Sequence, residues 1–306
     1  MTQPGIPNDY CLSTACYGTR LRTIEDQAFA AVAMGFRRIE LGLSDAPVPL
    51  NGFEDTRRET GLEVRSLVCG CLDPRSEHMS GTRLGSLDED QRERALISVR
   101  RHLQVAQRYG CPTVVLRGCE LENPPLVREA DDLWSRYLRE GHSDELAGEI
   151  QAFVHRAQRK SQRQLEHLCR SIHALMTQFP ETRIALETGP QLADLLHHEA
   201  LGWVLDDLAK YGLGYWHDTG TVHVRELCGL PAQGQWLDSY AGRLLGMHVQ
   251  DAAGFEVGMP PGCGEVDFRL LADYLPSTAE RVVEIDPRHG RTEILGAVQF
   301  LADKGF

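Results

Sequence analysis

Four residues with metal-binding side chains stand at equivalent places in successive parts of this sequence. They are Glu187, Asp218, His248 and Glu284, and the intervals between them are 31, 30 and 36 residues. Each closes a short run of mostly apolar residues that predicts a β-strand. An interval of about 30 residues is the length of one strand–helix unit. Four consecutive units would therefore bring one such side chain each to the same edge of a parallel sheet.

The chemistry of these four side chains points to a divalent cation. Converging carboxylates repel one another, and a charged group without a partner is costly to bury. A cation removes both penalties, and three carboxylates with one imidazole suit Mn²⁺ or Mg²⁺, with Co²⁺ and Zn²⁺ also compatible. Taken singly, each residue has a plainer interpretation, such as a paired glutamate, a core histidine or a turn aspartate. Their equivalent positions in four units favour one shared metal site.

The elements that would position these residues alternate between short strands and amphipathic helices. Strands are predicted at 10–16, 38–42, 64–69, 113–118, 184–187, 212–218, 244–250 and 281–285. Ser86 and Glu89 form a capping-box pattern that predicts a helix start, and Gly110 ends that helix. Eight alternations predict an α/β fold, a single (β/α)₈ TIM-barrel domain over residues 1–306. An open doubly wound sheet is the alternative, but no Gly-x-Gly-x-x-Gly follows the first strand.

A helical insertion is predicted after the fourth strand, at residues 119–160. This stretch breaks the regular alternation and contains apolar residues at helical spacing, among them Leu146, Ile150 and Phe153. It follows a strand directly, so it leaves from the C-terminal face of the barrel, where active sites of this fold lie. We interpret it either as a lid over the site or as an ordinary exposed elaboration.

Composition narrows the class of partner. The net charge is −12, with 29 Arg and 3 Lys, which argues against nucleic-acid binding. The nine cysteines include no Cys-x-x-Cys pair and are typical of reduced thiols in a cytoplasmic protein. The polar start of the chain predicts no signal peptide, and no apolar run is long enough for a membrane span.

Several motifs extend beyond single residues. They are Leu186-Glu187-Thr188, Trp216-His217-Asp218-Thr219-Gly220, His248-Val249-Gln250-Asp251 and Pro261-Gly262-Cys263-Gly264-Glu265-Val266-Asp267-Phe268, followed by Glu284. On these motifs the chain resembles, over essentially its whole length, the xylose isomerase-like TIM-barrel superfamily. That superfamily holds sugar and sugar-phosphate isomerases and epimerases, inosose dehydratases and endonuclease IV. The resemblance implies that Glu187, Asp218, His248 and Glu284 bind one divalent metal and that Glu187 and Glu284 also transfer protons.

The function implied is a metal-dependent isomerase or epimerase of a sugar, cyclitol or related polyhydroxy ketone, acting through an enediolate. Two alternatives remain open: an inosose-type dehydratase, which shares the first proton removal, and a degenerate barrel that binds a small molecule or a partner without turnover. Endonuclease IV supplies further histidines from strands three and four, where this chain has Cys69-Gly70 and Arg117-Gly118. A DNA-repair function is therefore not favoured.

Four further residues are predicted to contact a small polyhydroxy substrate: Arg117, Trp216, Gln250 and Asp251. Arg117 would hold a phosphate or carboxylate, or else pair with Glu187 or Glu120. Asp251 would alternatively orient His248 or cap a turn. Strand alternation turns His217 away from the site. The sequence is compatible with a homo-oligomer but does not specify one.

Overall fold

Eight parallel strands close into a barrel in the computed structural model, which describes residues 8–44, 46–73 and 80–306. These strands are β1 Tyr10–Ser13, β2 Arg38–Leu41, β3 Glu63–Val68, β4 Thr113–Arg117, β5 Arg183–Glu187, β6 Gly214–Asp218, β7 Leu244–Val249 and β10 Glu280–Val283. Their order around the barrel is β1-β10-β7-β6-β5-β4-β3-β2. The (β/α)₈ fold predicted from the sequence is confirmed.

Helices surround the barrel. They are α1 Ile24–Met34, α2 Phe53–Thr60, α3 Glu89–Tyr109, α4 Pro124–Glu140, α5 Asp144–Lys160, α6 Gln162–Gln178, α7 His198–Asp207, α8 Thr219–Leu227, α9 Gln233–Tyr240, α10 Phe268–Tyr274 and α11 Arg291–Asp303. Short 3₁₀ turns lie at Thr14–Tyr17, Ser80–Gly85, Ala209–Tyr211 and Ala241–Arg243. No helix in the described ranges is both long and apolar enough to cross a bilayer.

Two local predictions differ from the structure. The first strand ends at Ser13 rather than at residue 16. The Ser13 side chain accepts a hydrogen bond from the Ala15 amide and begins a 3₁₀ turn there. Helix α3 is capped by Asp88, whose carboxylate accepts hydrogen bonds from two backbone amides, and not by Ser86. Asp88 lies two residues after Ser86, and aspartate is among the residues preferred at the N-cap.

The predicted insertion after β4 consists of α4 and α5, and α6 then forms the regular outer helix. The insertion packs against two segments that come later in the chain, one around Phe255 and one just after α8. The rings of Trp134 and Tyr137 on α4 lie 5.5 and 5.1 Å from the ring of Phe255. On α5, Gln151 donates to the carbonyl of Gly229, just beyond α8, at 2.6 Å. Whether it acts as a lid stays a prediction.

The hairpin that carries Phe255 was not predicted. It consists of β8 Asp251–Ala253 and β9 Glu256–Met259, which pair in antiparallel fashion directly after β7. Both strands are too short to produce a clear alternation of apolar and polar residues. The hairpin extends the C-terminal end of the barrel on the side of β7.

The barrel interior is packed rather than hollow. One layer of buried side chains fills it, namely Cys11, Val68, Val115, Ala185, Trp216 and Val282. Trp216 is the largest member, and the absence of a side chain at Gly246 makes room for its ring. A Cβ on Gly246 would lie 2.5 Å from two indole carbons. This layer forms the floor beneath the polar side chains at the C-terminal end of the strands.

Candidate functional site

The four predicted metal ligands lie together at the C-terminal end of the barrel. Glu187 and Asp218 are the last residues of β5 and β6, and Glu284 follows β10 directly. His248 lies one residue before the end of β7, and strand register places it beside Asp218 on one side and Val282 on the other. We call these four residues the ligand set.

Arg117, the last residue of β4, extends its guanidinium into the middle of the ligand set. Its Nε donates to Glu187 Oε2 at 2.8 Å. Its Nη2 lies 3.0 Å from His248 Nδ1, 3.2 Å from Glu284 Oε2 and 4.0 Å from Asp218 Oδ2. Of the two pairing partners considered for Arg117, Glu187 is the one observed, and Glu120 pairs with Arg83 instead. The role of Arg117 toward a substrate stays a prediction.

A sixth charged residue, Glu40 on β2, completes what we call the mouth cluster together with Arg117 and the ligand set. His248 Nε2 lies 3.0 Å from Glu40 Oε2 and 3.1 Å from Glu284 Oε2. The hydroxyl of Ser66 donates to Glu40 at 2.6 Å. Glu40 therefore fixes the imidazole ring by its Nε2 side and turns Nδ1 toward Glu187, as outer carboxylates commonly do for metal-binding histidines.

Glu40 was missed in the sequence, although one signal was there. A glutamate inside a buried strand between Ile39 and Leu41 needs a partner, which should have drawn attention to it. Strand alternation with Ile39 and Leu41 turns Glu40 toward the barrel interior, because the extra residue of the β2–β3 register shift lies on β3.

The protonation states follow from mutual contacts within the mouth cluster. Burial by itself disfavours the imidazolium of His248, yet the carboxylates of Glu284, Glu40 and Glu187 outweigh it and hold its pKa well above the ordinary value. Burial likewise opposes ionisation of Glu187, but Arg117 and His248 lower its pKa to about 2. The metal-free cluster thus holds Glu187 as a carboxylate beside two cations.

Asp218 differs from Glu187 although the two lie on adjacent strands. Burial, and after it the negative charge of Glu187, raise the pKa of Asp218 to about 6 despite the attraction of Arg117. Gln250 donates through Nε2 to both Asp218 oxygens, at 2.8 and 2.9 Å. Asp218 also caps α8 by accepting the Thr221 amide at 2.7 Å. The interpretation of Asp218 as a cap is therefore confirmed, and its role as a metal ligand stays a prediction.

These residues fit a divalent cation. Oxygen and nitrogen atoms of Glu187, Asp218 and His248 lie within 4.8 Å of one another, as do those of Glu40, His248 and Glu284. Four carboxylates face only the two cationic groups of Arg117 and His248, so the cluster carries excess negative charge. Carboxylates with one oriented imidazole form a donor set for a hard or borderline divalent ion. A metal would be held by Glu187, Asp218, His248 and Glu284.

A cleft of about 500 Å³ opens beside this cluster. Gln250 and Glu284 line it from the barrel side, and Ser44, Gly258, Asp286 and Pro287 are among the residues of its outer wall. The side chains of Glu284 and Arg117 are 15% and 17% exposed, whereas those of Glu187 and His248 are fully buried. A molecule in the cleft would therefore meet Glu284 first. The volume suits a small-molecule ligand.

Two predicted substrate contacts lie elsewhere. Trp216 is fully buried below the site, with its ring centroid 5.3 Å from that of His248, and it is not part of the cleft wall. Asp251 is 1% exposed and accepts backbone amides of Gly262, Gly264 and Val266 at 2.8 to 3.0 Å. In this geometry Trp216 supports His248, and Asp251 organises the Pro-Gly-Cys-Gly-Glu-Val loop. Their roles toward substrate stay predictions.

His217 faces outward, as strand alternation predicted. Its Nδ1 lies 2.6 Å from the Tyr215 hydroxyl, and its Nε2 lies 2.6 Å from Gln233 Oε1. Burial lowers the pKa of His217 to about 4. A neutral imidazole with both nitrogens satisfied belongs to the packing between barrel and helices and not to the site.

Comparison with known proteins reveals the same fold in sugar epimerases. No protein-family model and no curated protein sequence matches the chain. Among solved structures, the apo form of 3-keto-D-glucoside 4-epimerase YcjR from E. coli matches with a TM-score of 0.64 and 15% identity, over 96% of this chain and 99% of that chain. D-psicose 3-epimerase from Clostridium cellulolyticum, solved with D-tagatose, matches with a TM-score of 0.65 and 12% identity, over 97% of this chain and 99% of that one.

A third match is the IOLI protein solved with a zinc atom, with a TM-score of 0.58 and 11% identity over 97% of this chain and 96% of that one. The TM-scores establish the shared fold. At identities this low, the activity has to be argued from the site. The matches show that this chain is similar in fold to these proteins, in agreement with the resemblance seen in its motifs.

Proposed function

We propose that this protein is a divalent-metal-dependent isomerase or epimerase of a sugar, cyclitol or related polyhydroxy ketone. The observation that carries the proposal is the convergence of Glu187, Asp218 and His248 within 4.8 Å, with Glu284 beside them on an open cleft. The epimerases that share the fold support the substrate class. Oxygen-rich ligation favours Mn²⁺ or Mg²⁺, while the zinc atom of the IOLI protein keeps Zn²⁺ among the candidates.

The reaction would begin with loss of a proton from the carbon next to a carbonyl. Glu284 is the carboxylate of the ligand set that the cleft exposes, so it is placed to take or return that proton. Glu187 would serve the opposite face of the enediolate. Each positioned acid or base contributes about 10²–10⁴-fold. A divalent ion held by the ligand set would supply a Lewis acid that stabilises the negative charge developing on the substrate oxygens.

Other residues of the chain position this machinery. Glu40 holds His248 by Nε2, and Gln250 holds both oxygens of Asp218. The side-chain oxygen Oε1 of Gln250 in turn accepts the Gly258 amide at 2.7 Å, which ties Asp218 to the β8–β9 hairpin and the cleft wall. Because Arg117 lowers the pKa of Glu187, that carboxylate is a weak base as long as the guanidinium stays in contact with it.

The first test combines metal content with proton exchange. Protein loaded with Mn²⁺ is analysed for metal per chain, and ketoses and inososes are then incubated with it in D₂O. We expect about one ion per chain and deuterium at the carbon next to the carbonyl, detected by NMR. Glu284→Gln should abolish the exchange, and Glu256→Gln, an exposed glutamate on the same face, should not.

The competing functions give different results in the same experiment. A dehydratase would also incorporate deuterium, but mass spectrometry would show a product that has lost water. A non-catalytic barrel would bind its ligand equally well in wild type and Glu284→Gln and would exchange no proton. Absence of any bound ion under metal loading would contradict the proposal.

A further inference from the structure

The end of the Arg117 side chain lies where the four predicted ligands meet. Its Nη2 lies 3.0 to 4.0 Å from His248, Glu284 and Asp218 at once, while Nε of the same group binds Glu187 at 2.8 Å. Each member of the ligand set comes from a different strand. The guanidinium thus occupies the common centre of the set.

The contacts of Arg117 are confined to this cluster. Within the described residues, every hydrogen bond of its side chain goes to Glu187, His248 or Glu284. Burial disfavours its charge, but the carboxylates of Glu187, Glu284 and Asp218 outweigh that cost and raise its pKa. The guanidinium therefore neutralises carboxylates that would otherwise repel one another in a buried place.

A metal ion and the guanidinium cannot share this place. Carboxylate oxygens and imidazole nitrogens contact Zn²⁺ or Mg²⁺ at about 2.0–2.2 Å. An ion at that distance from Glu187, Asp218 and His248 would fall within the space of Nη2. Arginine has a long side chain with several rotatable bonds, and that of Arg117 is 17% exposed, so it can move toward solvent beside Glu284, which lines the cleft.

We infer that the Arg117 guanidinium is the resident cation of the ligand set and that a divalent ion binds by displacing it toward the cleft. The inference rests on the proposed function for the presence of a metal. It adds that metal affinity is reduced by the stability of the arginine-occupied state, because only the vacated state binds the ion. It also places a guanidinium at the cleft once the ion is bound.

The test measures metal affinity. Titration calorimetry with Mg²⁺ and with Mn²⁺ is carried out on wild type, Arg117→Gln and Arg20→Gln. Arg20 is an exposed arginine at the same end of the barrel whose side chain donates to the carbonyl of Cys16, so it controls for loss of one positive charge. We expect Arg117→Gln to bind the ion about tenfold more tightly or better, and Arg20→Gln to stay within about threefold of wild type.

A second measurement uses wild-type protein and does not depend on the folding of a variant. The Nε–H group of Arg117 is observed by ¹⁵N NMR, assigned in the wild-type protein from its nuclear Overhauser contacts, while Mg²⁺ is added. Displacement predicts that this resonance leaves its metal-free position as the ion binds, because the hydrogen bond to Glu187 is lost. A resonance unchanged at saturating Mg²⁺ would overturn the inference.

The outcomes separate the inference from the proposed function. If Arg117→Gln binds the ion and wild type does not, the arginine blocks the site permanently: displacement by an ion and metal-dependent turnover are both refuted. If both bind with equal affinity, the inference fails and the proposed function survives. If neither binds, the ligand set is no cation site, and both fail.

Discussion

Asp218 and Asp251 are both buried aspartates at the C-terminal end of the barrel, but their partners differ. Asp251 accepts four backbone amides, from Ala252, Gly262, Gly264 and Val266. Asp218 accepts one amide and otherwise faces Gln250 and the charged groups of the mouth cluster. A carboxylate saturated by amides is committed to holding a loop, whereas one that faces other charges retains capacity for a ligand.

Two fully buried histidines show the same difference between backbone partners and charged partners. His102 on α3 accepts the amides of Gly70 and Leu72 through Nε2 and hydrogen bonds to the Ser98 carbonyl through Nδ1. Burial lowers its pKa to about 4. Among the described residues, the ring nitrogens of His248 contact side chains only, and its pKa is raised. The identity of the partners, backbone or charged side chain, therefore distinguishes structural polar groups from those of the mouth cluster.

The largest expected effect concerns the exposed member of the mouth cluster. Glu284→Gln should reduce turnover by about 10²–10⁴-fold, since a positioned proton-transfer group is lost. The free energy of unfolding should change little, because Glu284 is partly exposed and caps no loop. Steady-state kinetics and urea unfolding check the two parts. A variant with full activity would show that having charged side chains as partners, rather than backbone amides, does not mark a carboxylate as functional.

Asp251→Ala should have the opposite profile. The substitution leaves four backbone amides without their acceptor, and each unsatisfied buried group costs about 1–3 kcal/mol. We expect a loss of about 3 kcal/mol or more in the free energy of unfolding, measured by urea denaturation. Asp251→Asn, which keeps one acceptor oxygen, should lose less. Unfolding curves identical to wild type would refute the structural assignment of Asp251.

The pH dependence of stability tests the second contrast. The pKa of His102 is about 4 in the folded protein and about 6.5 when unfolded, so the unfolded chain binds the proton more readily. Above pH 6.5 the protonation of His102 leaves the free energy of unfolding unchanged. As the pH falls from 6.5 toward 4, it lowers the free energy of unfolding by about 3 kcal/mol in total. The difference in unfolding free energy between wild type and His102→Gln should shrink over that window. A difference that does not vary with pH would contradict the neutral state of His102.

The smallest effect tests the floor beneath the mouth cluster. Gly246→Ala would place a Cβ 2.5 Å from the Trp216 ring, and such overpacking costs about 1–3 kcal/mol. Gly234→Ala on α9 is a matched control, since its Cβ would lie 3.8 Å from Leu270. That control should be neutral or stabilising by up to about 1 kcal/mol. Thermal unfolding of the two variants provides the comparison, and equal melting temperatures would argue against a packed floor.

The sequence predicts the barrel and the convergence of the four side chains of the ligand set because both depend on local patterns, and their binding of a metal stays a prediction. Strand alternation determines which side chain faces inward, and it places Glu187, Asp218 and His248 correctly. Glu40 was missed, although its place between the apolar residues Ile39 and Leu41 predicts that it faces inward. The position of Arg117 depends on the rotamers of a long side chain and on charges from other strands, so the sequence left its partner open. The partners of Asp251 come from a loop whose path the sequence does not specify.

The most direct test of the mouth cluster as a cation site is an anomalous difference map from a crystal soaked in Mn²⁺. We predict one peak at the centre of Glu187, Asp218, His248 and Glu284, with the Arg117 side chain moved from that place toward the cleft. Density for Arg117 still between Glu187 and His248, with no manganese peak among the four side chains, would contradict the account.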